Sequence, residues 1–187
     1  MVPKEDLGIL RKDNSILLVI DIQEKFRPVI HSWDKLIDNM GKLINSLQIL
    51  KIPLLLTEQY PKGLGKTCSE ITEILSEYKP IEKKEFSCLK NKEFLSQLKK
   101  LNKNNIIICG IEAHVCVVNT LLEAISQGFN VHLVVDAISS RKKADLNVAI
   151  GRSKQAGAFL TTVEMAIFQL MGSSGAEEFR KISKIVK

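Results

Sequence analysis

Short, continuous runs of apolar residues alternate along the chain with longer segments in which apolar residues recur at helical spacing. The runs at 15–21, 52–59, 104–110 and 130–137 consist mainly of Ile, Leu and Val. Such runs are typical of strands that are buried on both faces, as in a parallel sheet covered by helices. The alternation therefore predicts a three-layer, doubly wound α/β domain.

The segments between the runs predict the helices. In residues 33–51 the apolar side chains fall on one helical face, and the other segments show the same pattern more weakly. Residues 60–66 are a predicted loop, and residues 80–87 are either a short edge strand or a loop. The predicted helices cover 33–51, 69–78, 90–101, 113–128, 144–157 and 175–187, and residues 158–171 begin as a strand and continue as a helix.

Length and composition favour one globular domain over the whole chain, residues 1–187. Hydrophobic residues make up 45% and charged residues 26%, which is usual for a soluble protein. The net charge of +6 comes from lysines that are interleaved with acids. With only 5% aromatic residues, this pattern favours a solvated basic surface over a nucleic-acid interface.

The cysteines and histidines argue against a metal centre. The four cysteines contain no Cys-x-x-Cys pair, and the three histidines are not clustered. We therefore expect no metal and no cofactor. The charged amino terminus does not have the pattern of a signal peptide, and no apolar run is long enough to span a membrane. A cytoplasmic protein with free thiols and without membrane contact is expected.

Polar residues follow the predicted strands where a parallel sheet carries its ligand cleft. Asp21 follows the first strand, and Cys116 stands in the first turn of the helix after the 104–110 strand. A helix amino terminus favours a thiolate, so this position predicts a lowered thiol pKa and a nucleophilic sulfur. The alternatives are a small buried thiol at Cys116 and a loop-capping carboxylate at Asp21.

Five motifs extend this pattern over most of the chain. They are "LLVIDIQEKFRP", "LLLTEQYPKGLGKT", "IEKKEFS", "CGIEAHVCVVNTLLEAISQG" and "VDAISSR". Their order and spacing resemble those of the isochorismatase-like cysteine hydrolases, and most closely the subgroup of isochorismatase domain-containing proteins. The resemblance implies a six-stranded parallel sheet with strand order 3-2-1-4-5-6.

The resemblance also implies a catalytic triad. The family's aspartate, lysine and cysteine fall on Asp21, Lys83 and Cys116, and Lys84 is the neighbouring alternative for the lysine. The backbone amides of Glu112 and Cys116 would form an oxyanion hole. The family's unusual cis peptide bond would lie between residues 111 and 112.

Further residues are expected around a substrate pocket, and four of them have an alternative role. Phe26 could pack beneath the first loop, and Tyr60 could cover the cleft or contact a neighbouring subunit. His114 could be a structural hydrogen-bonding group, and Arg141 could form a salt bridge in place of binding a substrate carboxylate. The expected pocket residues are Gln23, Phe26, Tyr60, Ile111, His114 and Arg141.

Together these features predict a cysteine hydrolase that acts on a small amide or related carbonyl compound through a covalent thioester. The resemblance further implies a homo-oligomer, a dimer or larger. The histidines lack the clustering of the metal site in nicotinamidase-like relatives, so no metal is expected. The alternative is a non-catalytic interaction protein that retains the fold and the pocket.

Overall fold

Six strands form one parallel sheet in the order β3-β2-β1-β4-β5-β6 in a computed structural model, which describes residues 7–187. This confirms the predicted fold class and strand order; the first six residues of the predicted domain lie outside the described part. The strands are β1 (Ser15–Ile20), β2 (Leu54–Gln59), β3 (Ile81–Lys83), β4 (Asn105–Gly110), β5 (Asn130–Ile138) and β6 (Phe159–Thr161).

Helices connect the strands and cover the sheet. Short 3₁₀ turns lie at Lys12–Asn14, Glu24–Phe26 and Cys88–Lys90, and a π-helical turn covers Ala113–Val117. The α-helices are α1 (Trp33–Ile49), α2 (Pro61–Leu64), α3 (Ser69–Thr72), α4 (Lys92–Leu101), α5 (Val118–Ser126), α6 (Lys143–Gln155), α7 (Val163–Met171) and α8 (Phe179–Val186). No helix within residues 7–187 has the length and apolar character needed to cross a membrane.

The central strand shows how both faces of the sheet are buried. Every residue of β1 is buried, and its side chains alternate between two apolar clusters. Leu17 and Val19 belong to the cluster that includes residues of α1, α7 and α8, whereas Ile16 and Leu18 belong to the cluster that includes residues of α4, α5 and α6. This explains why the strand is a continuous apolar run and not an alternating one.

One predicted helix is wrong. Residues 69–78 were expected to be helical, but α3 ends at Thr72. Beyond it the backbone bonds to α1 instead: the amide group of Gln48 donates to the carbonyl of Ile74 (2.8 Å) and accepts from the amide of Ser76 (2.7 Å). These tertiary hydrogen bonds replace the bonds that a longer helix would make. Residues 80–87 resolve into the short edge strand β3 followed by bends.

Burial of Cys68 predicts a dependence of stability on alkaline pH. Burial raises the pKa of this thiol from 9.0 to about 11. Between these values the native state keeps a proton that the unfolded chain has released, so the free energy of unfolding falls as pH rises. One such group contributes at most about 1.4 kcal/mol per pH unit. Urea denaturation between pH 8 and 11 should show a shallower fall for Cys68→Ala than for the wild type; equal slopes would contradict the assignment.

Candidate active site

Three strands deliver polar side chains to one edge of the sheet. Asp21 follows β1, Gln59 ends β2 and Lys83 ends β3, and the last two are direct partners in the β2–β3 register. The β1 strand lies between β2 and β4 with Ile20 beside Thr57 and Gly110. The carboxyl ends of β1, β2 and β4 therefore lie at one edge of the sheet. At this edge the chain continues from β4 into the turn before Cys116.

Lys83 and Asp21 form a buried ion pair. The ammonium nitrogen of Lys83 lies 2.6 Å from Oδ2 of Asp21, and the two side chains are 0% and 2% exposed. The hydroxyl of Thr57 donates to Oδ1 of the same carboxylate at 2.7 Å. Burial alone would lower the pKa of Lys83, but negative charge nearby, first that of the Asp21 carboxylate, outweighs burial and the pKa is raised. The lysine is therefore a cation at neutral pH.

The Cys116 thiol lies beside this pair. Cys116 stands in the π-helical turn that precedes α5, is 6% exposed, and has its sulfur 4.0 Å from Oε1 of Gln59. The same oxygen accepts a hydrogen bond from the Lys83 ammonium at 2.7 Å. Gln59 thus connects the lysine to the sulfur, and the three residues expected to be catalytic lie in one cluster.

The expectation of a lowered thiol pKa is wrong. Burial raises the pKa of Cys116, and the charge and hydrogen bond of Asp21 raise it further. The cationic Lys83 acts in the opposite direction but does not offset both effects. The prediction of a thiolate rested on the helix start alone and did not include the effect of the Asp21 carboxylate. In this site the resting sulfur is a neutral thiol next to a proton acceptor.

The turn before Cys116 contains a cis peptide bond between Ile111 and Glu112. The following amide, that of Ala113, donates to the carbonyl of Ser139 at 2.7 Å. Among the hydrogen bonds found for residues 7–187, none has the amide of Glu112 as its donor. This amide lies four residues before Cys116 in the chain, and none of these hydrogen bonds uses its proton.

Three of the expected pocket residues, Gln23, Phe26 and Tyr60, lie in the first loops, and a fourth, Ile111, lies in the cis turn. Gln23 is fully buried, and its amide donates to the carbonyls of Gln59 (3.0 Å) and Gly65 (2.6 Å). Its side chain thus joins the end of β2 to the loop that contains α2. Tyr60 lies at the surface, 50% exposed, whereas Phe26 and Ile111 pack with the apolar cluster under α1.

The two remaining residues contact the cis turn. Nδ1 of His114 lies 3.0 Å from the hydroxyl of Ser140. Arg141 donates from Nε to Oε1 of Glu112 at 2.8 Å. The structure therefore contains the salt bridge that was the alternative for Arg141 and a structural hydrogen bond at His114.

Two contributors to the site stand at a predicted strand end but were given no role by the sequence. Thr57 orients the Asp21 carboxylate, and Gln59 contacts both Lys83 and Cys116. A signal for both was present, because "TEQ" stands at the end of the second predicted strand. Alternation along a strand places residues two positions apart on the same face, and this relation would have paired the threonine with the glutamine.

No metal-binding cluster stands out in the described part of the chain. Residues 7–187 contain no group of three or more His, Cys, Asp or Glu side chains arranged to hold a metal ion. The absence of a metal or other cofactor remains a prediction. The described cysteines are all unpaired and buried.

Replacing Lys83 by methionine is expected to lower the free energy of unfolding by about 3–5 kcal/mol, because the Asp21 carboxylate would stay buried without its cation. Lys84→Met is the matched control, since that side chain is exposed and should change stability by about 0.5 kcal/mol or less. Chemical denaturation of the two variants measures the difference. Equal effects would show that the ion pair does not support the fold.

Comparisons with known proteins agree with this architecture. The family profile described as Isochorismatase domain matches residues 15–165. The chain is 38% identical to mouse isochorismatase domain-containing protein 2A over 188 residues, which covers 98% of this chain and 88% of the mouse protein.

Solved structures are similar over most of their length. A structure described as MAR1 ribonuclease from Caenorhabditis elegans is 42% identical with a TM-score of 0.89, covering 95% of this chain and 91% of its own. The YcaC gene product of Escherichia coli, described as an octameric hydrolase of unknown specificity, is 26% identical with a TM-score of 0.84, covering 88% and 83%. The chain therefore belongs to the isochorismatase family, within the subgroup of isochorismatase domain-containing proteins.

Proposed function

We propose that the protein is a cysteine hydrolase of small amides or related carbonyl compounds, with Asp21, Lys83 and Cys116 as its catalytic residues. The observation that carries this proposal is the buried cluster in which a carboxylate, an ammonium and a thiol meet. The Lys83–Asp21 distance is 2.6 Å, and Gln59 contacts both the ammonium and the sulfur. A nucleophile with an adjacent proton acceptor, itself held by a third group, is the arrangement required for covalent catalysis.

The first step couples proton transfer to attack on the carbonyl. Because the raised pKa of Cys116 keeps the resting sulfur protonated, the nucleophile forms only as Asp21 takes the proton. The sulfur then bonds to the carbonyl carbon, and the carbonyl oxygen becomes negatively charged. The amides of Glu112 and Cys116 would donate to this oxygen, an effect that is worth about 2.7–4 kcal/mol for one donor in other enzymes.

The later steps return the proton and release the acyl group. Asp21 gives the proton to the amine leaving group as the carbon–nitrogen bond breaks, which leaves a thioester on Cys116. A water molecule then attacks the thioester with Asp21 as general base, and the acid is released as the thiol recovers its proton. Lys83 stays cationic throughout and stabilises the negative charge that passes between carboxylate and sulfur.

Burial favours a small substrate. As whole residues, Asp21, Lys83 and Cys116 are 1%, 2% and 6% exposed, so a compact acyl group suits the site better than a polymer. A panel of small primary amides and thioesters, assayed with wild type and Asp21→Asn, tests the proposal. Hydrolysis by the wild type should fall about a hundredfold or more in the variant, which is the usual contribution of a general base. Unchanged rates would contradict it.

RNA is the second substrate class to test, because the C. elegans structure at 42% identity is described as a ribonuclease. The net charge of +6 is compatible with a polyanion. Short RNA in the same assay separates the classes: RNA cleavage that is insensitive to Cys116→Ala would overturn the thiol mechanism. If neither class is turned over, the non-catalytic interaction protein is the remaining interpretation.

Assembly and location follow as further proposals. The octameric description of the E. coli relative supports a homo-oligomer for this chain, and light scattering would measure its size. The exposed Tyr60 beside the site is a candidate subunit contact. Four unpaired cysteines suit a reducing compartment such as the cytoplasm.

A further inference from the structure

We propose that residues Ser139–Arg141, here called the clip, position the turn that carries the oxyanion-hole amide and the nucleophile. This inference rests on the proposed function and assigns positioning residues to it. The clip contacts three consecutive residues of that turn. Arg141 binds the Glu112 carboxylate at 2.8 Å, the Ser139 carbonyl accepts from the Ala113 amide at 2.7 Å, and the Ser140 hydroxyl lies 3.0 Å from His114.

The clip is itself held from two directions. It follows directly after β5, whose last residue, Ile138, pairs with Gly110 at the end of β4. On its other side it bonds to the loop before α1. The His31 amide donates to the Ser140 carbonyl at 3.0 Å, and the Ser139 hydroxyl donates to the His31 carbonyl at 2.7 Å. Ser139 and Ser140 are 3% and 0% exposed, so this part of the clip is a buried support, whereas the Arg141 side chain is 57% exposed and reaches Glu112 from the surface.

The contact with Glu112 bears directly on catalysis. The amide of this residue is the proposed oxyanion donor, and its side chain is the group that Arg141 binds. The Glu112 side chain is 10% exposed and the Arg141 side chain 57%, so a guanidinium at the surface holds a carboxylate that is itself almost buried. Loss of the guanidinium would allow the peptide to rotate away from the developing oxyanion. Displacement of a catalytic group by about 1 Å costs as much as a hundredfold in rate.

Two reactions of the same thiol isolate this effect. Acylation of Cys116 by 4-nitrophenyl acetate places negative charge on a carbonyl oxygen, whereas alkylation by iodoacetamide is a displacement at carbon that creates no oxyanion. Both reactions need the same deprotonated sulfur. The ratio of the two rates therefore reports the positioning of the oxyanion donors independently of thiol reactivity.

Arg141→Gln and Ser140→Ala are expected to lower the acylation rate about tenfold to a hundredfold while alkylation changes less than about twofold. Arg152→Gln, an exposed arginine in α6, removes the same charge and should leave both rates unchanged. Cys116→Ala gives the background from the other cysteines. Rates are followed by intact-mass spectrometry with peptide mapping.

Three other outcomes would overturn the positioning role or the proposed function. If both rates fall equally in the clip variants, the clip only supports the fold, and the positioning role is overturned. If neither rate changes, the role is also overturned. If wild-type Cys116 is alkylated but never acylated by the ester, the proposed function itself fails and the clip has no oxyanion donor to position.

Discussion

Replacement of Cys116 by alanine is expected to reduce hydrolysis of the active substrate at least about a thousandfold, because no acyl-enzyme can form without the sulfur. The residual rate would come from binding and from the oxyanion donors alone. The side chain is small, and its sulfur lies next to the polar Gln59 side chain, so the fold should tolerate its loss. Steady-state kinetics with the best substrate of the amide panel measures the effect.

Cys109→Ala is the matched control for this variant. Cys109 is fully buried in β4, one strand residue before Gly110, and burial raises its pKa as well. Its loss should lower stability somewhat, as any core truncation does, but leave the rate constant of the folded enzyme unchanged. Wild-type turnover by the Cys116→Ala variant would show that Cys116 is not the nucleophile.

Replacement of Gly110 by alanine is expected to cost about 4 kcal/mol or more of folding free energy. Gly110 has φ +113° and ends β4 against the central strand. An added Cβ would overlap the carbonyl oxygen of Ile20 and lie 2.7 Å from its nitrogen. Both contacts involve backbone of the buried sheet, which cannot move aside as a side chain can. Steric strain and an unfavourable φ together place this change among the most destabilising substitutions.

Gly151→Ala tests the same chemical change where there is space. Gly151 lies within α6, and nothing lies within 4 Å of an added Cβ. Alanine is favoured over glycine in a helix by about 0.5–1 kcal/mol, so this variant should be more stable than the wild type. Thermal and urea denaturation of the pair measure both shifts. Similar stability of the two variants would show that the close backbone contact between Gly110 of β4 and Ile20 of β1 is not needed for folding.

The sheet could be predicted because strands that are buried on both faces are continuous apolar runs in the sequence. The strand β1 is apolar at every position from Ile16 to Ile20, and β4 at every position from Ile106 to Cys109. The extent of α3 could not be predicted. Its end depends on Gln48, which lies over 20 residues earlier and captures the backbone of residues 74–76. Tertiary hydrogen bonds of this kind leave no local pattern.

The candidate site was predictable in position but not in electrostatics. The motifs brought Asp21, Lys83 and Cys116 to one edge of the sheet, where the structure also has them. The charge state of the sulfur was predicted wrongly, because it depends on burial and on the distance to a carboxylate, and neither can be derived from a helix start. The position of Gln59 at a strand end was visible in the sequence, but its contacts with Lys83 and Cys116 join separate strand ends, and sequence spacing does not reveal them.

Intact-mass spectrometry of the wild-type protein, quenched during turnover of an amide or ester, tests the central claim most directly. One acyl group per chain is expected on the peptide that contains Cys116, formed before the acid is released and lost as substrate runs out. Turnover without any adduct, or an adduct on Cys68, Cys88 or Cys109, would contradict it.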